Sequence, residues 1–171
     1  MAITRWDAVV DAVIGAVSTQ VAGTADVYDG PPNTSEPLTD AIIIGAVNGE
    51  TVSGTLDQEW RTMGGPDFAD RDENGTVRCM AVAQRGDTEM ATTRAAAVTL
   101  LGQVETALRT VVSYDYPKVY DNTDRYDSAG TVASEAATLW IQLQAGSVAQ
   151  LQTPAGSECW ITFTLAYRAI I

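Results

Sequence analysis

The chain has 171 residues, of which 46% are hydrophobic and 19% charged, and its formal net charge is -12. This balance is typical of one globular domain, which we assign to residues 1–171, and not of a disordered chain. Lys and Arg number 10 against 22 Asp and Glu, so binding to the phosphate backbone of nucleic acid is disfavoured. No stretch reaches the roughly 18 apolar residues of a membrane span, so we expect a protein of the cytoplasm with no membrane partner.

The first predicted element is an N-terminal helix. Thr4 is a suitable N-cap, and one face of the following segment is apolar. That face consists of Trp6, Val9, Val10, Val13, Ile14 and Val17. Residues 26–28 read as an extended segment, and the prolines that follow predict an exposed loop over 29–37.

Three strands are predicted in the next part of the chain. Residues 40–47 form a continuous apolar run rich in isoleucine, and residues 55–63 alternate less clearly. The glycine- and acid-rich stretch 64–75 predicts a loop, with a turn at Asn74-Gly75. Residues 76–85 are apolar on both faces, which indicates a strand at the centre of its sheet.

The strongest pattern lies in residues 86–112, where apolar side chains recur at three- and four-residue steps. These are Met90, Ala97, Leu101, Val104, Leu108 and Val111, and Asp87 is the expected N-cap. The opposite face is small, neutral and polar, with Thr92, Ala95, Thr99, Gln103 and Thr106. Two interpretations stay open for it, a solvated surface or a contact with a neighbouring subunit.

The C-terminal part predicts a long acidic loop over 113–130 and then strands. Residues 135–144 form a strand that 147–153 continue after a bend, a turn follows at 154–156, and 158–170 form the last strand. The expected fold is therefore α+β, with a mainly antiparallel sheet of about five strands. An N-terminal helix and a long central helix pack on one side of it.

Catalytic signals are scarce in this sequence. It contains no histidine, which removes Ser-His-Asp and Cys-His catalysis and histidine-based metal sites. There is also no phosphate-binding loop and no dinucleotide fingerprint. We therefore expect no enzyme activity and no cofactor. Cys79 and Cys159 fall in strand patterns and are interpreted as buried thiols.

One acidic motif has to be weighed as a metal site. Asp70, Asp72 and Asn74, followed by Gly75, match the opening of an EF-hand calcium loop. The position of the bidentate glutamate is Ala81, however, and the flanks predict strands instead of helices. A solvated turn is the favoured interpretation, so no metal is predicted.

Several segments taken in order resemble the tail terminator (tail completion) proteins of long-tailed, siphovirus-type bacteriophages. They are VYDGPP at 27–32, LTDAIIIG at 38–45, RDENGTVRC at 71–79, the helix ending VETALR at 109, and QTPAGSECWITFTLAY at 152–167. The likeness extends over nearly the whole chain, although each motif alone is weak. Residues 114–128 depart from it, because they are longer and more acidic than the family's short glycine-containing turn.

The resemblance implies a structural virion protein of the viral tail, assembled in the host cytoplasm. Such a protein forms a hexameric ring at the head-proximal end of the tail, stops polymerisation of the major tail tube protein and joins the head-completion (stopper) protein at the neck. Genome DNA would pass through the lumen without specific binding, which suits an acidic chain. Gly30, Pro31, Asp67, Phe68 and Asp70 are the expected contacts with tube or neck.

Other functions stay open beside the terminator. The nearest is another neck or tail-tube structural protein. From a different class comes a small acidic ion- or ligand-binding domain, and an enzyme built on paired carboxylates comes last.

Overall fold

A mixed sheet of six strands carries two helices on one face in the computed structural model, which describes residues 4, 6–33, 38–47, 53–60, 71–86, 89–112, 138–154 and 156–170. In chain order the elements are α1 Trp6–Gln20, β1 Asp26–Asp29, β2 Asp40–Ile44, β3 Gly54–Trp60, β4 Arg71–Arg85, α2 Met90–Val112, β5 Thr138–Thr153 and β6 Gly156–Ile170. The predicted α+β class is confirmed. The described residues form six strands, where about five were expected.

The strands lie in the order β1-β2-β4-β6-β5, and β3 pairs with β4 beside that path. Every pair is antiparallel except β1 with β2, which run parallel. On one edge of β4, its first half pairs with β3 and its second half pairs with β2. The mainly antiparallel sheet is confirmed, whereas the parallel pair was not foreseen.

Helix α1 forms as its local sequence predicts. The backbone N–H of Trp6 donates to Thr4 Oγ1 at 3.0 Å, so Thr4 caps the helix. Its buried residues are Val9, Val10, Val13 and Val17. They pack with α2 and with one face of the sheet, and Cys79, Phe163 and Leu165 belong to the same core cluster.

β4 is the central strand, and it is longer than predicted. The expected loop over 64–75 and the turn at Asn74-Gly75 are wrong for residues 71–75, which already belong to β4. Their backbone is paired on both sides, since Asn74 lies opposite Asp57 in β3 and Arg168 in β6. Neighbouring strands on both edges thus override the local turn preference of Asn-Gly.

Helix α2 lies across the sheet with the predicted stripe inward. Ala97, Leu100, Val104, Ala107 and Leu108 are buried, and Leu101 is half-buried. Thr93 is buried as well and was missed; its hydroxyl bonds to that of Ser157 in β6. The helix begins at Met90, and the expected cap Asp87 lies outside the described residues.

The long β5–β6 hairpin closes the chain. The described parts of the two predicted segments, 138–144 and 147–153, belong to one strand, with a shift of register between Gln144 and Ser147, which confirms the expected bend. Cys79 and Cys159 are both buried and free, as interpreted from their strand patterns. The acidic loop 113–130 lies outside the described residues.

Candidate interaction surfaces

The outer face of α2 is the first candidate surface. Of the predicted interface residues, Thr92, Ala95, Thr99 and Thr106 are exposed and Gln103 is half-buried. The hydroxyl of Thr99 donates to the carbonyl of Ala95 at 2.9 Å, and that of Thr106 to Gly102 at 2.9 Å. Because these hydroxyls are already hydrogen-bonded within the helix, the face loses little hydration when it is covered.

Charge on this helix lies toward its ends. Arg94 stands before residues 95–104, which carry no charge, and Glu105 pairs with Arg109 at 2.7 Å near the C-terminus. Val98 lies in the uncharged stretch and is 54% exposed. The middle of the α2 outer face is therefore a neutral surface on a strongly acidic chain, a composition that suits contact between protein surfaces.

The first contact loop leaves the sheet at the end of β1. Gly30 has a φ of 72°, in the left-handed region that favours glycine. Its N–H donates to the carbonyl of Ile44 at 2.7 Å, which ties the start of the loop to β2. Pro31 follows and is exposed. The other contacts expected for tube or neck, Asp67, Phe68 and Asp70, lie outside the described residues.

The acidic motif does not form a calcium loop where the structure describes it. Asp72 and Asn74 are strand residues of β4, and the Asp72 carboxylate accepts a hydrogen bond from Arg168 Nη2 at 2.7 Å. An EF-hand loop needs a tight turn at these positions, which an extended backbone cannot provide. Asp70 lies outside the described residues, and those that are described hold no group of three or more metal-ligating side chains.

A buried polar cluster, missed at the level of sequence, joins three strands. The Glu73 side chain is 0% exposed; Gln58 Nε2 donates to its Oε2 at 2.7 Å, and the Tyr167 hydroxyl donates to its Oε1 at 2.8 Å. Burial, and then the bond to Glu73, raise the pKa of Tyr167 well above its ordinary value. Tyr167 is thus held as a neutral hydrogen-bond donor, a structural role and not a nucleophilic one.

The cluster depends on the glycine two residues after Glu73. A β-carbon at Gly75 would lie 2.3 Å from the Tyr167 ring, so only glycine lets this ring lie against the β4 backbone. Glu73 and Gly75 both lie on the side of β4 that faces the helices, and so does Val77. Extending the alternation of inward-facing positions back from Val77 would have placed Gly75 and Glu73 on the helix side of the strand. The acidic stretch was interpreted as a loop instead.

The sheet face away from the helices carries a shallow polar cavity of about 200 Å³. It lies near the bend in β5 and is lined by Val47, Arg78, Gly146, Ser147, Thr162, Phe163 and Thr164. The Ser147 and Thr162 hydroxyls bond to each other at 2.7 Å. Pockets for drug-sized ligands begin at roughly 300 Å³, so this depression is small for such a ligand.

Two further findings bear on the kind of protein that this chain is. Neither of the described helices has the length and apolar character that crossing a membrane requires. No protein-family model matches the chain, and no curated protein matches it.

Proposed function

We propose that this chain is a structural protein of a bacteriophage virion, a tail terminator of the long-tailed type. Copies of the chain form a hexameric ring at the head-proximal end of the tail, where the ring stops growth of the tube and joins the tail to the stopper protein. The protein acts by occupying a surface and catalyses no reaction. DNA passes through the lumen and is not bound there.

The observation that carries the proposal is the neutral outer face of α2 on a chain of formal charge -12. Acidic copies repel one another, so they can approach closely only where carboxylates are sparse. The face around Ala95 and Thr99 meets this condition, and its small side chains allow close packing.

The acidic character also supports a role around DNA. A lumen lined by negative charge repels the phosphate backbone, so that DNA slides through without adhering. The loop that begins at Gly30 and Pro31 is the described candidate for contact with the tube or the neck. It leaves the edge of the sheet, and its start is fixed by the bond from Gly30 to Ile44.

The proposal is tested by the mass of the purified protein in solution. Repulsion between acidic copies is screened by salt, with a Debye length of about 10 Å at 0.1 M. We therefore expect ring formation to increase with ionic strength or with a millimolar divalent ion, and negative-stain images to show closed rings of about six subunits. A ring equally stable at low and high ionic strength would contradict the electrostatic part of the argument.

A monomer under all of these conditions calls for a second experiment, because the ring can also assemble on its tube. The protein is then added to growing tail tubes, and tube length is measured. Tubes that stop growing support the terminator. Tubes of unchanged length, together with stability that depends on calcium, favour the alternative of a small acidic ion-binding domain.

A further inference from the structure

A chemically reactive dipeptide lies within the central strand. Asn74 is exposed, and Gly75, which follows it, is buried against the Tyr167 ring. Asparagine followed by glycine is especially prone to spontaneous deamidation, because glycine has no side chain to hinder attack by its backbone nitrogen. Neither residue belongs to the α2 outer face or to the loop that begins at Gly30.

Deamidation closes a ring between the two residues. The backbone nitrogen of Gly75 attacks the side-chain amide carbon of Asn74, so that a C–N bond forms between them. The bond from that carbon to the side-chain nitrogen breaks, and ammonia leaves with the proton of the Gly75 N–H. Water then opens the cyclic imide to aspartate or isoaspartate. In isoaspartate the backbone is longer by one carbon atom.

The fold holds this reaction back. Asn74 and Gly75 each lie opposite a residue of β3 on one edge of β4 and a residue of β6 on the other. Both pairings are antiparallel, a conformation with ψ of about +135°. Ring closure needs a large rotation about ψ of Asn74, which would break the backbone pairing on both edges. The side-chain amide is thus open to water, while the nitrogen that must attack it is held away.

We infer that Asn74 is a deamidation site that opens only when the central strand leaves its neighbours, and that the modification then prevents correct refolding. The consequence follows from register, since Glu73 bonds to Tyr167 and Gly75 lies opposite it in β6. One extra backbone carbon between Asn74 and Gly75 shifts these two positions relative to each other. Folded copies therefore keep the asparagine, and copies that open lose the ability to close.

The first test measures deamidation by peptide mass spectrometry after incubation at pH 8 and 37 °C, in buffer and in 6 M guanidinium chloride. Asn48-Gly49 is the internal reference in the denaturant, because it is the same dipeptide in the same chain. There the two asparagines are expected to react at rates within twofold of each other. In buffer, Asn74 is expected to react at least tenfold more slowly than in the denaturant, since the opened state is rarely populated.

The second test measures refolding of protein that has been aged in the denaturant, by the circular dichroism signal recovered on dilution. Asn74→Ser lacks the reactive amide but keeps Asn48-Gly49, so it controls for other damage. Asn74→Asp adds the charge without the longer backbone, and its carboxylate lies between Asp57 and Arg168, whose effects oppose each other. Aged wild type should recover less than half of the signal of either variant. Urea midpoints of fresh samples show that both variants fold.

Two results would overturn the inference. One is deamidation of Asn74 in buffer at a rate within tenfold of that in the denaturant. The other is aged wild-type protein that recovers half or more of the signal of Asn74→Ser. Neither measurement depends on ring formation, so the proposed function stands or fails separately.

Discussion

The Tyr167 hydroxyl donates to Oε1 of the fully buried Glu73 at 2.8 Å, across the pairing of β6 with the central strand. The same carboxylate accepts from Gln58 in β3 at 2.7 Å, so three strands are joined at one acidic side chain. A buried carboxylate that loses a donor keeps its desolvation cost, which makes this bond worth more than an exposed one. The cluster therefore holds these three strands together at the end of the sheet where α1 begins.

Tyr167→Phe is expected to destabilise the protein by about 1–3 kcal/mol, because the ring still packs but one donor to Glu73 is lost. Urea unfolding followed by circular dichroism measures the change. The control is Tyr28→Phe, whose half-buried ring packs beside Ile43 and Met80. That control should change the free energy of unfolding by less than about 0.5 kcal/mol. Equal effects of the two substitutions on the free energy of unfolding would contradict a stabilising role for the hydrogen bond from Tyr167 to Glu73.

Gly75→Ala is expected to cost about 1–3 kcal/mol, since its β-carbon would lie 2.3 Å from a ring that the bond to Glu73 holds in place. The matched control is Gly102→Ala on the exposed side of α2, where a β-carbon meets nothing within 4 Å. This control should stabilise the protein by about 0.5–1 kcal/mol, as alanine favours a helix over glycine. Thermal unfolding of both variants therefore has to shift in opposite directions. A stabilising Gly75→Ala would mean that the ring can move away at little cost.

Thr4→Ala is expected to cost about 1 kcal/mol through loss of the N-cap of α1. The Thr4 side chain also lies close enough to the Tyr167 hydroxyl to lower its pKa slightly, which places the start of α1 beside the buried cluster. Thr4→Ser keeps the hydroxyl and should stay close to wild type in urea unfolding. If serine were as destabilising as alanine, the hydroxyl would not be what matters at this position.

Stability should fall at alkaline pH. Burial raises the pKa of Cys79 from 9.0 to about 12, and the pKa of Tyr167 is raised in the same direction. Groups with a raised folded-state pKa stabilise fully below the unfolded pKa, and this contribution is lost as pH rises toward the folded value. Cys79 alone should remove about 2 kcal/mol between pH 8 and about pH 10.5.

The variant that checks this contribution is Cys79→Ala, which removes the thiol and leaves Tyr167 in place. Its free energy of unfolding should decline less steeply than that of wild type between pH 8 and about 10.5, whatever its stability at pH 8. Urea unfolding at several pH values gives both slopes. Parallel slopes would show that the thiol does not titrate differently in the folded and unfolded states.

Sequence pattern predicted the elements whose signal is local. The Thr4 cap and the valine stripe of α1 lie within one helix, and the stripe of α2 from Ala97 to Leu108 covers several turns, so each specifies its element without help from distant residues. The bend in β5 was also visible, because apolar alternation changes phase near Gly146. These signals depend on spacing alone.

The first half of β4 could not be predicted in this way, since Asp72 to Gly75 read as a turn. Their strand conformation depends on partners more than ten residues away in β3 and β6, and the reason for a buried glutamate appears only when Gln58 and Tyr167 are placed beside it. The parallel pairing of β1 with β2 likewise depends on how the loop after Asp29 returns. Of the residues expected to form an interface on α2, Thr92, Ala95, Thr99 and Thr106 are exposed and Gln103 is half-buried, and a contact with another subunit there stays a prediction.

Thr99→Glu tests the α2 outer face as a contact between copies, and α1 offers a close control in Thr19→Glu. Both threonines are exposed, and each hydroxyl donates to the carbonyl four residues earlier, at 2.9 Å for Thr99 and 2.8 Å for Thr19. Both substitutions add one negative charge, so any general increase in repulsion is the same. We expect Thr99→Glu to weaken ring formation about 10- to 100-fold, because a carboxylate buried between acidic copies is both desolvated and repelled. Thr19→Glu should change it less than threefold, as measured by sedimentation velocity at 0.5 M NaCl. If the two variants assemble equally well, the neutral face of α2 is an ordinary solvated surface, and the contacts between copies lie elsewhere on the chain.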